Sequence, residues 1–216
     1  MRGRVTVLVD NPSWIVHYAH QLVDTAQDMG FKTRFIQSQQ QVEHGEILFM
    51  LGCIKIVPAD ILKMNQWNLV VHESDLPRGK GFAPLAWQVI HGKKIIPVVL
   101  FQAKAEVDTG SIIMRGEISL TGYELCDELR QIQGAKTLEL CTQFLSDYPT
   151  STPIPQSGET TFFRRRIPAD SRLDPDKTIR EQFNLLRTVD NERYPAFFEV
   201  DGHSYEVHIV RRDRMS

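Results

Sequence analysis

Apolar, β-branched segments alternate with helix-like segments along the first two thirds of the chain, and this alternation limits the fold more than any other feature. Strand-like segments rich in Val, Ile and Leu lie at residues 5–10, 31–36, 46–52, 68–73 and 95–101. Helix-like segments lie at residues 14–29, 58–64, 83–92 and 121–148, the last beginning at a Thr121–Glu124 capping box. Such alternation predicts an α/β domain with a Rossmann-like, mostly parallel sheet and helices on both faces.

The last third of the chain has a different character. Residues 149–161 are rich in Pro, Ser and Thr, which predicts a linker or an excursion across the surface. A short helix is expected at residues 175–189, and Asp201-Gly202 between alternating apolar residues predicts a hairpin. We therefore divide the chain into a main domain, residues 1–148, and a linker with a small C-terminal α+β appendage, residues 149–216.

Composition and charge exclude several classes of protein. The 25 Lys and Arg residues nearly balance the 27 Asp and Glu residues, and the net charge of -2 argues against a dedicated nucleic-acid-binding protein. Cys53, Cys126 and Cys141 have spacings that suit neither a disulfide framework nor a zinc site. No apolar run approaches the ~20 residues that span a bilayer. We expect a cytoplasmic protein that binds no membrane, no nucleic acid and no metal.

Two residues near predicted strand ends are candidates for chemistry. His72 closes the strand at residues 68–73, and Asp108 lies in the loop after residues 95–101. Ligands of open parallel sheets bind beside the carboxyl ends of strands, so both side chains are expected in one crevice. There Asp108 would fix the tautomer of His72 and favour the protonated ring, which can stabilise a developing oxyanion. The alternative gives the strand-end histidine and the Asp-Thr-Gly turn structural roles only.

The same stretch resembles the folate-dependent formyltransferase family. The family pattern is N-x-H-x-S-L-L-P-x-x-x-G-x-x-P, followed by a helix that ends in Gly and then by D-T-G. The positions in register are His72, Ser74, Leu76, Pro77, Gly81, Pro84, Gly92 and Asp108-Thr109-Gly110. The similarity covers residues 4–145 and includes the segment LFMLGCIKIVPADIL at residues 48–62. On this resemblance, residues 1–148 form a formyltransferase catalytic domain.

The resemblance implies 10-formyltetrahydrofolate as the formyl donor, with no metal, and His72 and Asp108 as catalytic residues. The donor is expected to contact two segments, through Asp75, Leu76, Pro77, Gly81, Phe82, Ala105 and Val107. The chain departs from the family at Val70, where the family has an Asn that polarises the formyl oxygen. Asn68, Asn65 and Asn11 are candidate replacement donors. Loss of one such donor typically lowers the rate ~10²–10³-fold.

The C-terminal segment resembles the tail of nucleotide-sugar N-formyltransferases, and the short length of the chain resembles those members of the group that act in pseudaminic-acid-type pathways. The similar stretches are residues 162–174, Leu186-Arg187 and residues 194–198. The resemblance places Arg187 and Tyr194 at the crevice, and with Arg78 they are the expected substrate-binding residues. An arginine is a natural partner for a nucleotide diphosphate.

The expected reaction is therefore transfer of the formyl group to the amine of a nucleotide-linked deoxyamino sugar, such as a UDP-4-amino-4,6-dideoxy sugar of surface glycan biosynthesis. One alternative is a glycinamide-ribonucleotide formyltransferase. Another, because of Val70, is a non-catalytic protein that binds folate or a nucleotide sugar. The apolar hairpin residues Phe197, Tyr205, Val207 and Ile209 suit a homodimer contact, and packing on their own domain explains them equally well.

Overall fold

The computed structural model describes residues 2–212. Its strands, in chain order, are β1 (Arg4–Leu8), β2 (Lys32–Ile36), β3 (Gly45–Met50), β4 (Asn65–His72), β5 (Lys80–Gly81), β6 (Ile95–Gln102), β7 (Ile112–Ser119), β8 (Phe162–Phe163), β9 (Ala196–Val200) and β10 (His203–Val207). Its α-helices are α1 (Val16–Asp28), α2 (Ala59–Leu62), α3 (Pro84–Ile90), α4 (Cys126–Asp147) and α5 (Ile179–Leu186). Within this described part of the chain, no helix has the length and apolar character needed to cross a membrane.

A six-stranded sheet in the order β2-β1-β3-β4-β6-β7 forms the centre of the molecule. Its first four strands are parallel, whereas β6 is antiparallel to β4 and β7 is antiparallel to β6. The predicted mostly parallel α/β sheet is confirmed. Because β6 is reversed, its last residue, Gln102, lies beside Leu69, and the following loop leaves the sheet partway along β4 rather than beyond His72.

Alternate side chains of the strands face two different layers. Val7, Phe49 and Leu69 point to one face, where they form the main core with buried residues of α1 and α4. Leu8 and Leu48 belong to a second cluster on the other face, beside α2. Helices and loops therefore cover both faces, and burial of these apolar side chains supplies most of the stabilising free energy.

Helix α4 begins five residues after the Thr121 start that its capping box predicted. Glu124 accepts hydrogen bonds from the backbone and hydroxyl of Thr121 and from the Gly122 N–H, so this pair closes a turn before the helix. Glu128 then accepts from the Leu125 N–H at the true helix start. The same three-residue spacing occurs twice in succession, and the sequence pattern alone favoured the first.

The C-terminal segment packs onto the main domain. β8 pairs in parallel with β5, and Ile154, within the segment predicted as a linker or surface excursion, forms an isolated bridge with Ile112. Helix α5 and the hairpin of β9 and β10 enclose a small apolar cluster, which includes Leu173, Leu186, Val189 and Ala196. The hairpin turn at Asp201-Gly202 forms as predicted, with φ of 49° and 80°.

Candidate active site

His72 ends β4 and is only 6% exposed. Its Nε2 lies 2.8 Å from the carbonyl oxygen of Gly79. Because a carbonyl oxygen can only accept, this contact assigns the proton to Nε2 and leaves Nδ1 as the ring nitrogen that can gain or lose one. The backbone at residue 79 thus sets the orientation of the imidazole.

Asp108 reaches the same short strand from the loop after β6. Its φ is 54°, in the left-handed region that Asp tolerates better than most residues. Its Oδ2 accepts a hydrogen bond of 2.9 Å from the Gly81 N–H. Gln156 donates to the carbonyl oxygens of Asp108 and Gly110 and so holds the loop in place.

One edge of β5 therefore binds both predicted catalytic side chains. Here the edge of β5 means residues 79–81, which are β5 and the residue before it. The Gly79 carbonyl and the Gly81 N–H face His72 and Asp108, whereas the Lys80 N–H donates to the Thr161 carbonyl beside β8. No hydrogen bond joins His72 to Asp108 within residues 2–212. The expected direct contact is corrected: the β5 backbone fixes the ring, because the loop after the reversed β6 delivers Asp108 to Gly81.

Glycine is required at this strand because β8 approaches it closely. Gly79 and Gly81 have φ of 72° and 98°, and a Cβ on Gly81 would lie 2.3 Å from the carbonyl oxygen of Phe163. On the same side, the Thr161 hydroxyl accepts from the Gly79 N–H. Residues 161–163, which lie outside the main domain in sequence, therefore complete the site.

Glu73 is a carboxyl beside the site that sequence reasoning missed. It follows His72 directly and is buried, and its Oε1 accepts a hydrogen bond of 2.8 Å from Gln133 of α4. Burial raises the pKa of this carboxyl, although the charge of His72 and the Gln133 hydrogen bond act in the opposite direction. The one signal in the sequence is an acidic residue between His72 and Ser74 at the end of an apolar strand.

None of the three candidate asparagines replaces the amide that is missing at Val70. Asn68 already donates two hydrogen bonds to backbone carbonyls near the start of β4. Asn11 donates to a neighbouring aspartate and to a backbone carbonyl after β3. Asn65 lies at the opposite end of β4 from His72. The site therefore has no asparagine donor among these three.

Several residues expected to contact the formyl donor surround the turn before β5. A cis peptide bond joins Leu76 to Pro77, and both residues are buried. A polar cavity of about 300 Å³ opens beside them, lined by residues 75–78, Arg115 and residues 157–159. Asp75 forms an ion pair with Arg115 at its rim, and Arg78 is exposed. Residues 75–78 thus line one cavity.

Three more of the residues that were expected to contact the formyl donor are exposed. Phe82 is exposed beneath the guanidinium of Arg165, which lies 4.3 Å from the ring centre. Ala105 and Val107 are exposed in the loop after β6. The arrangement leaves these side chains open to a ligand.

A second group of exposed apolar residues, which sequence reasoning missed, lies in the segment after β3. Ile54 and Ile56 are exposed there, and the Asp10 carboxylate accepts from the Ile54 N–H. Cys53 from this segment and Ala103 from the loop after β6 pack on one cluster, to which Val70 also belongs. Both loops therefore adjoin the sheet face that carries Val70, and both have exposed apolar side chains.

Arg187 does not have the predicted substrate-binding position. It is 1% exposed, its guanidinium pairs with the Glu124 carboxylate at 3.3 Å, and its Nε donates to Asn184. Although burial opposes ionisation of Glu124, hydrogen bonds from Thr121 and its neighbouring backbone lower its pKa to about 2. Arg187 therefore links α5 to the turn before α4 internally, because its partner Glu124 is buried with it.

Tyr194 remains accessible, at 53% exposure. The preceding residue, Arg193, donates to the carbonyl oxygen of Pro12 at 3.4 Å, which places this loop beside the carboxyl end of β1. Arg166 is half-buried nearby and donates to the backbone and hydroxyl of Thr188. Tyr194 and the half-buried Arg166 are thus accessible on this side, whereas Arg187 is not.

Solved structures of three formyltransferase-like proteins share this fold. Methionyl-tRNA formyltransferase from Clostridium thermocellum superposes with a TM-score of 0.81 at 21% identity, over 99% of this chain and 95% of that one. A sugar N-formyltransferase from a Shewanella species gives 0.71 at 17% identity, over 97% and 98%. HypX from Aquifex aeolicus in complex with tetrahydrofolic acid gives 0.77 at 14% identity, over 96% and 37%.

Sequence comparison identifies the family. The formyl transferase family profile matches residues 14–136, more than half of the chain. The methionyl-tRNA formyltransferase of Thermodesulfovibrio yellowstonii is 30% identical over 145 residues, which cover 66% of this chain. The chain spans about half the length of that relative, 47%. The chain belongs to the formyl transferase family.

Proposed function

We propose that this chain is an N-formyltransferase that moves a formyl group from 10-formyltetrahydrofolate to the amine of a nucleotide-linked deoxyamino sugar. The observation that carries the proposal is the edge of β5, which holds His72 and Asp108 as neighbours in a chain of the formyl transferase family. The donor used by this family is 10-formyltetrahydrofolate.

The residues at this edge suit the proton movements of formyl transfer. 10-Formyltetrahydrofolate supplies the formyl carbon, and its nitrogen needs a proton as the formyl group leaves. The acceptor amine loses a proton when it bonds to that carbon. His72, through Nδ1, can stabilise the developing oxyanion and deliver the proton to the leaving nitrogen. Asp108 stabilises the positive charge on the ring and accepts the amine proton.

The exposed apolar side chains of the loops after β3 and β6 suit the flat ring system of the formyl donor. These side chains, Ile54, Ile56 and Val107, offer apolar contacts of the kind that line most small-molecule sites. The cavity lined by residues 75–78 adds polar groups and the charge of Arg78. These two features support binding of a ligand that has both an aromatic ring and charged groups.

The acceptor side is proposed around Tyr194 and Arg166. Both belong to the C-terminal segment, which also supplies β8 to the site. Burial lowers the pKa of Arg166, although the charge of Asp170 acts in the opposite direction, and among residues 2–212 no carboxylate oxygen lies within ion-pair distance of its guanidinium. An arginine in that state suits a phosphate group, which supports a nucleotide-linked acceptor.

Methionyl-tRNA is the second candidate acceptor. Its specific support is the identity of the curated relative from Thermodesulfovibrio yellowstonii and the fold match to the Clostridium thermocellum enzyme. Against it stands the net charge of -2, because a protein that grips tRNA usually carries a basic excess. The third candidate is a protein that binds the ligands without turnover, because Val70 stands where the family has a catalytic Asn.

Mass spectrometry of one competition reaction tests the assignment. The purified chain is incubated with 10-formyltetrahydrofolate and a mixture of UDP- and dTDP-linked amino sugars, glycinamide ribonucleotide and methionyl-tRNA. We expect a mass increase of one formyl group on a nucleotide sugar. Formylation of methionyl-tRNA or of the ribonucleotide would replace the proposed acceptor, and folate binding without any product would favour a binding protein.

A further inference from the structure

Lys80 has a largely buried side chain and no counter-charge within residues 2–212. The residue is only 8% exposed, its side chain forms no ion pair or hydrogen bond in that range, and its ammonium nitrogen is left in contact with solvent. Lysine side chains are rarely buried to this degree unless they are paired. The pairing of β5 with β8 uses only the backbone of Lys80. The backbone pairing therefore does not require a lysine at this position.

The position of Lys80 links it to the candidate active site. It lies between Gly79, whose carbonyl binds His72, and Gly81, whose N–H binds Asp108. Its flexible aliphatic stem can carry the ammonium group to a ligand held beside that edge. A positive charge placed there acts within the site where formyl transfer is proposed.

Two other polar groups around β5 also lack partners. The Ser74 hydroxyl is buried without a hydrogen bond, and the Ser74 Cβ lies 3.0 Å from where a Cβ on Gly79 would stand. The side-chain oxygen of Gln156, whose amide holds the Asp108 loop, is buried without a partner as well. Buried polar atoms are normally satisfied, so this local shortage indicates a polar ligand or the water that accompanies it.

We propose that Lys80 binds an anionic group of a ligand, a carboxylate or a phosphate, next to His72 and Asp108. The choice of ligands rests on the proposed function, in which both substrates carry such groups: the glutamate tail of folate has carboxylates and the nucleotide sugar has a diphosphate. The charge of Lys80, which has no partner within the described chain, gains one when the ligand binds.

Four proteins test this proposal: wild type, Lys80→Met, Lys80→Arg and, as a control, Lys32→Met at the exposed start of β2. Calorimetry measures binding of tetrahydrofolate and of UDP, and thermal unfolding measures stability without ligand. We expect Lys80→Met to unfold at the same or a higher temperature and to bind one of the two ligands at least tenfold more weakly. Lys80→Arg retains part of the affinity, and Lys32→Met behaves as wild type.

The affected ligand identifies the anion: weaker tetrahydrofolate binding indicates a carboxylate, and weaker UDP binding indicates a phosphate. Unchanged affinity of Lys80→Met for both ligands would overturn the proposal. If wild type binds neither ligand, the proposed function fails, and inorganic phosphate then decides the role of Lys80. Phosphate should raise the unfolding temperature of wild type and not that of Lys80→Met, and an equal rise in both would reject an anion site.

Discussion

His72 and Asp108 are each fixed by one contact with β5, so their chemistry can be removed without disturbing that contact. His72→Gln keeps a donor for the Gly79 carbonyl, and Asp108→Asn keeps an acceptor for the Gly81 N–H in a residue that tolerates positive φ. Each change should lower kcat by ~10²–10⁴. Steady-state kinetics with circular dichroism as the folding control measures this, and near-normal kcat in both variants would remove these residues from the mechanism.

Individual site residues differ in how far the sequence alone predicts their roles. His72 and Asp108 were predicted because their motif spacing is visible along the chain, and the structure brings both to β5. Glu73 was missed because nothing in a one-dimensional pattern shows that its carboxyl turns toward Gln133. Arg187 was assigned to substrate because its motif suggested it, although its guanidinium points inward to Glu124.

Glu73 should make stability depend on pH. Because the folded pKa is raised, the carboxyl ionises in the unfolded chain above about pH 4.5 while it stays protonated in the folded one, and stability falls as pH rises toward the folded pKa. Glu73→Gln removes this fall, so its stability relative to wild type should increase as pH rises above about 4.5 and level off above the folded pKa. Urea unfolding measures the free energy at each pH.

Glu139→Gln, at an exposed carboxylate on the same helix as Gln133, is the matched control and should not change the slope. Parallel stability curves for Glu73→Gln and wild type would show that the Glu73 carboxyl ionises as readily in the folded chain as in the unfolded one.

At the scale of elements, the pair of Arg187 and Glu124 ties α5 to the turn before α4. Arg187→Met leaves the carboxylate without its cation and should lower the free energy of unfolding by about 3 kcal/mol. A structural tie predicts that the KM for the acceptor stays constant. Urea unfolding and acceptor kinetics separate the two roles, because a substrate-binding arginine would raise KM and leave stability nearly unchanged.

Apolar periodicity predicts some of the strands and helices but not all of them. Strands β1–β4 and β6, helix α1 and the hairpin follow from apolar spacing and from Asp201-Gly202, whereas β7 was not predicted. β5 and β8 have two residues each, too few to show any period, and yet they carry the site. The reversal of β6 was not visible either, because an apolar strand looks the same in either direction.

For the whole molecule, the boundary near residue 148 does not separate the chemistry from the appendage. β8, Thr161 and Gln156 all follow that boundary, and all support β5 or the Asp108 loop. A chain truncated after residue 148 should therefore lose formyl transfer and unfold at a lower temperature. Thermal unfolding and the transfer assay measure both effects.

The glycinamide-ribonucleotide alternative makes the opposite prediction. If a truncated chain kept its activity, the C-terminal segment would not be required for catalysis, and the glycinamide-ribonucleotide alternative would be favoured.

Transfer of a ¹³C-formyl group tests directly whether the edge of β5 is a formyl-transfer site. Wild type and His72→Gln are each incubated with ¹³C-formyl-labelled 10-formyltetrahydrofolate and a UDP-linked amino sugar, and mass spectrometry follows the sugar. We expect labelled N-formyl sugar with wild type and ~10²–10⁴-fold less per unit time with His72→Gln. Equal labelling by both proteins, or no labelled sugar with wild type, would contradict it.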